Sequence, residues 1–98
     1  MFSQQHYLIR SKQDGSYLAA QPHPDKSDRY LLLFREQFEA LSYLNKYAAD
    51  IADRFGAESI SDEQLKSVLQ RWDFSGIGLV KDPLIPEVEF LARNRPNG

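Results

Sequence analysis

The run Tyr30-Leu31-Leu32-Leu33-Phe34 constrains the fold more than any other stretch of the chain. Its apolar residues follow one another without alternation, so neither side is left for water. A run of this length reads as a central strand covered on both faces. It is also the longest apolar run in the 98 residues. A membrane-crossing helix needs about 20 such residues, so the chain is not expected to span a bilayer.

Neighbours for this strand are found on both sides of it in the sequence. Residues 6–12 and 17–21 are strand-like and flank Gln13-Asp14-Gly15-Ser16. Asp-Gly between two such runs predicts a hairpin, because a type I′ turn needs positive φ at both central residues. With Asp14-Gly15 as the two-residue loop, Ser11 lies opposite Leu18 and Ile9 opposite Ala20. Tyr7, Ile9, Leu18 and Ala20 then share the core side. Leu8, Arg10, Lys12, Tyr17 and Ala19 share a mixed, wetter side. After the central strand, the spacing predicts a long helix over 36–55, stopped by Gly56. Leu41, Leu44, Ala48, Ile51, Ala52 and Phe55 fall on one stripe at 100° per residue. Ala40, Tyr43 and Tyr47 form a second stripe beside it.

Ser61-Asp62-Glu63-Gln64 is the Ser-x-x-Gln form of a capping box and opens a second helix over 62–72. Leu65, Val68, Leu69 and Trp72 have the spacing of its buried face. Two short strands, 77–80 and 88–91, complete the order β-β-β-α-α-β-β. The expected fold is a single α+β domain over 1–98, with a mostly antiparallel sheet of about five strands and both helices packed on one face. The polar tail from 93 to 98 is expected to fray.

Composition then removes several kinds of function. The 42% hydrophobic and 27% charged content is that of a soluble domain. With no cysteine there is no disulfide, thiolate metal site or cysteine nucleophile, which fits a cytoplasmic setting. The N-terminus lacks the layout of a signal peptide. A net charge of −2 offers no footprint for nucleic acid, although Arg10, Lys12 and Tyr17 on the wet hairpin side are the place to look for one.

Catalytic constellations are not evident. His23 with Asp25 and Asp28 offers one imidazole and loop carboxylates, short of the fixed ligand set a metal centre needs. No serine stands in a Gly-x-Ser-x-Gly elbow. Asp73 and Asp82 flank the glycine segment, yet both occupy ordinary turn positions. "GIG" lacks the third glycine and the following helix of a dinucleotide fingerprint. No cofactor, metal or catalytic residue is therefore assigned.

The succession of "YLLLF", an amphipathic helix, "LKSVLQRW" and "GIGLVKDP" resembles the N-terminal module of the SseB-like proteins over roughly residues 30–90. Gly76, Gly78, Leu79, Val80 and Pro83 carry the most specific part of that resemblance. The chain departs from the pattern at Arg35, at Asp82 and by inserting Leu84-Ile85-Pro86. The resemblance implies a small non-enzymatic binding or regulatory module and brings no catalytic residues with it.

The expectation is thus a protein-interaction module, acting on a partner or by self-association. Its candidate surface is Tyr43, Tyr47, Leu84 and Ile85, since exposed tyrosine is enriched at interfaces. Leu84 and Ile85 stand between two prolines in a turn that needs neither, with folding back onto the core rim the slightly favoured alternative to display. The alternative function is a ligand site or enzyme built on Asp73, Gly76, Gly78 and Asp82.

Overall fold

A computed structural model describes residues 5–93. The chain forms β1 (His6–Ser11), β2 (Ala19–Ala20), β3 (Tyr30–Phe34), α1 (Gln37–Tyr47), a 3₁₀ segment (Ala49–Arg54), β4 (Phe55–Ile60), α2 (Asp62–Arg71), β5 (Gly76–Asp82) and β6 (Glu87–Ala92). The six-stranded sheet runs β4-β1-β3-β5-β6, with β2 joined to β3. Every pairing is antiparallel except β3 with β5, which is parallel. The α+β class and the mostly antiparallel sheet are as expected. The central strand is β3, whose Leu31, Leu33 and Phe34 are fully buried and Leu32 nearly so.

The two helices do not share a face. Leu8, Leu31, Leu33, Ile60 and Phe74 form one core with Leu65, Val68 and Leu69 of α2. Ile9, Leu32, Phe34 and Val80 form the other with Ala40 and Leu44 of α1. Topology explains this correction. Strands β3, β4 and β5 point the same way, so the chain crosses from β3 to β4 through α1 and back from β4 to β5 through α2. Right-handed crossovers running in opposite directions must lay their helices on opposite faces. The wetter side expected for the first hairpin is consequently core as well: Leu8 is buried there, with Tyr17 and Ala19 packed around it.

β4 is the element that the sequence reading lacks. The helix expected to run to residue 55 ends at Tyr47, a 3₁₀ segment follows, and Phe55–Ile60 pairs with all of β1 from Ser11↔Phe55 to His6↔Ile60. Gly56 lies inside that strand and stops no helix. A six-residue ladder with the buried Ile60 at its end outweighs the helix propensity of the preceding alanines. Within α1 the buried stripe is also displaced: Ala40 and Leu44 are buried, whereas Leu41 is 43% exposed. The side chain expected to join the core thus faces outward, and the stripe through Ala40 and Tyr43 packs on the sheet instead.

The first hairpin closes with a longer loop than expected. Arg10 pairs with Tyr17, and Ser11 N–H donates to Ser16 O, shifting the pairing by two residues and keeping each side chain on its expected face. Gly15 has φ 73°, while Asp14 stays at negative φ, so the turn is not type I′. Asp14 instead accepts from Ser16 N–H and Oγ–H. These bonds, the backbone one first, hold its carboxyl below the ordinary aspartate range. A side chain that bonds its own turn selects the looser loop.

α2 forms as its capping box predicts. Ser61 Oγ accepts from Gln64 N–H, and Gln64 Oε1 accepts from Ser61 N–H. Of the tail expected to fray, Arg93 continues the ladder by donating to Ser75 O at 2.7 Å, and 94–98 lie outside the described residues. Among the described residues, no helix is long and apolar enough to cross a membrane.

Candidate functional site

Three of the four candidate partner residues meet at one end of α1. Phe34, buried on β3, contacts the Tyr43 ring at 5.5 Å between centroids, and Tyr43 contacts Tyr47 at 5.0 Å. The aromatic series thus climbs from the core to the surface, where Tyr47 is 47% exposed. Tyr47 Oη–H donates to Leu84 O at 2.7 Å, across a sequence separation of 37 residues. Burial, and secondarily the Tyr47 hydroxyl nearby, raise the pKa of Tyr43 above that of a free tyrosine.

The turn between β5 and β6 is held from both sides. Leu84 N–H donates to Asp82 Oδ1 at 2.9 Å while Leu84 O receives the Tyr47 hydroxyl. Pro83 and Pro86 fix φ on either flank. Between them Leu84 is 52% exposed and Ile85 69% exposed. The expected folding back onto the core rim does not occur. Val88 and Phe90 lie over Gly78 on β5 instead.

The glycines that suggested a ligand loop serve strand packing. A Cβ on Gly76 would run into Leu91 O, and one on Gly78 would press on Leu32, Val88 and Phe90 at 3.0 to 3.2 Å. Asp73 leaves α2 at φ 54° and meets Arg93 at 3.5 Å. Asp82 caps the turn at the other end of β5, roughly 20 Å away at 3.3 Å per residue. The structure therefore does not bring Asp73 and Asp82 together. Comparison with protein families, curated proteins and solved structures found no match for this chain.

Two of the hollows among the described residues lie away from this segment. One of about 440 Å³ opens between β4 and α2, over Leu8, Tyr17, Ile60, Val68 and Trp72. Tyr17 and Trp72 meet edge to face at 5.2 Å on its floor. The hollow is not legible in the sequence because no element is expected over 56–60, where β4 forms its wall; the alternation of Phe55 and Ala57 with Gly56 and Glu58 is the available signal. The other, about 530 Å³, lies by His6, Arg35, Leu79 and Lys81. None of Asp73, Gly76, Gly78 and Asp82 lines either one.

On the hairpin side considered for nucleic acid, Lys12 is exposed while Arg10 and Tyr17 are engaged within the chain. Arg10 stacks over the Tyr17 ring at 4.9 Å, donates to Gly15 O and lies 3.7 Å from Glu58. His23 meets Asp28 at 3.4 Å, and among the described residues no three His, Asp or Glu side chains gather as a metal site.

Proposed function

We propose that this chain is a small cytoplasmic protein-interaction module that meets its partner through Tyr47, Leu84 and Ile85, with Tyr43 beneath them. The observation that carries this reading is the state of the β5–β6 turn. Two adjacent aliphatic side chains stand in water on a backbone fixed by two prolines, an aspartate cap and a tyrosine hydroxyl. Ordering such a turn on binding costs little entropy, because it is already ordered. Apolar anchors on a rigid base, beside a tyrosine, are the usual composition of an interface centre.

A ligand site or enzyme at Asp73, Gly76, Gly78 and Asp82 has less to support it, since the glycines face β6 and the carboxylates stand at opposite ends of a strand. The absence of cysteine is compatible with the cytoplasmic setting.

The test is comparative capture from a lysate of the native cell by wild type, Ile85→Asp and Tyr47→Phe, read by quantitative mass spectrometry. Proteins held by wild type should be lost with Ile85→Asp and weakened with Tyr47→Phe, while circular dichroism stays that of the wild type. The same proteins captured equally by all three would sink the reading.

A further inference from the structure

β6 ends the sheet, with no strand on its outer side among the described residues. Its hydrogen-bonding parity follows from Arg93 N–H donating to Ser75 O. In an antiparallel ladder such pairs alternate. Leu91 with Ile77 and Glu89 with Leu79 are therefore the bonded pairs that face β5. The N–H and C=O of Val88, Phe90 and Ala92 point away from the sheet. Natural edges are commonly blunted by proline, by a bulge or by lysine. β6 has no proline or lysine, and its register shift lies at Val80/Asp82, before its second half. Phe90 is 40% exposed on one face and Leu91 42% on the other.

We infer that this edge pairs with the same edge of a second copy, β6 against β6, about a two-fold axis at Phe90. Only registers that oppose outward residues to outward residues can form hydrogen bonds. Among these, the one that uses the whole strand sets Phe90 opposite Phe90 and Val88 opposite Ala92. The same register sets Glu87 opposite Arg93, twice, once on each side of the axis, so that Arg93, which meets Asp73 at 3.5 Å within its own copy, would stand between two carboxylates. Opposite charges and aromatic pairs are the cross-strand neighbours that stabilise a ladder. A shift by two residues in one direction brings in Pro86, which has no N–H to give. Self-pairing of β4 about Ala57 brings Gly56 against Glu58 with no charge pair, and the register that opposes Arg54 to Glu58 draws Arg54 from the 3₁₀ segment outside the strand. Pairing of β6 with β4 is heterologous and gives a ring or an open filament rather than a two-fold dimer. The interface is small and the dimer correspondingly concentration-dependent. It shares no residue with the Tyr47–Ile85 surface, so either proposal can fail alone.

Sedimentation across a concentration series should show a monomer–dimer equilibrium. Ala92→Pro removes an outward N–H that β5 does not use, and should leave a folded monomer. Because the chain has no cysteine, Phe90→Cys places a single thiol on the axis. Mild oxidation should link it to its symmetry mate far faster than it links Ile85→Cys. Glu87→Arg sets an arginine opposite Arg93 and should weaken the dimer several-fold. A monomer at all concentrations, a dimer indifferent to Ala92→Pro, or equal cross-linking of the two cysteine variants would each overturn the proposal.

Discussion

Gly76 illustrates how one residue can look functional and be steric. The backbone of Leu91 and Ala92 fills the space its side chain would need. Gly76→Ala must push two strands apart, and should destabilise the fold by about 1–3 kcal/mol, measured by urea denaturation. Gly78 differs, because side chains rather than backbone surround it, and a Cβ there would require them to give by only a few tenths of an ångström. Tyr43 supplies a pH dependence. Its folded pKa lies above its unfolded value near 10. The neutral phenol is thus favoured by folding. Its contribution is complete below the unfolded value and is lost as pH rises through the folded one. Denaturation midpoints should fall more steeply on the alkaline side in wild type than in Tyr43→Phe.

At the scale of elements, α2 and α1 show two ways of starting a helix. α2 starts with a reciprocal side-chain box, so Ser61→Ala should cost about 0.5–2 kcal/mol, seen as a lower melting temperature. α1 starts at Glu36 without a side-chain cap. Glu39, one turn on and buried, accepts from Arg35 N–H and from its guanidinium, which also donates to Lys81 O. That device was not legible in the sequence, because it depends on β5 ending beside β3. The α2 box was legible because all of its parts lie within four residues.

For the whole molecule, β3 is the shared wall of both cores. Leu31 and Leu33 face α2 while Leu32 and Phe34 face α1. A defect on either face should therefore be felt on both. Leu33→Ala should cost about 2–5 kcal/mol and should lower the unfolding transition seen from Trp72, on the α2 side, and from amide exchange of Leu44, on the α1 side, together. Separate transitions from the two probes would show the faces to be independent. The partner surface also belongs to this scale. Tyr47 and Leu84 are joined only because α1 and the β5–β6 turn reach the same end of the sheet.

Local chemistry was enough for several features. The apolar run 30–34 announced a strand buried on both faces, the capping box placed α2, and Asp-Pro with the prolines after it marked the turn that shows Leu84 and Ile85. Each depends on residues close in sequence. The tertiary structure alone decided that Phe55–Ile60 is a strand, that the two helices lie on opposite faces, that Leu41 faces outward, and that Leu84 and Ile85 stay in water. Those outcomes depend on which strand is free to pair and which space is already filled. Ladder hydrogen bonds and packing between distant segments set both, and they outweigh the modest local preferences a sequence displays.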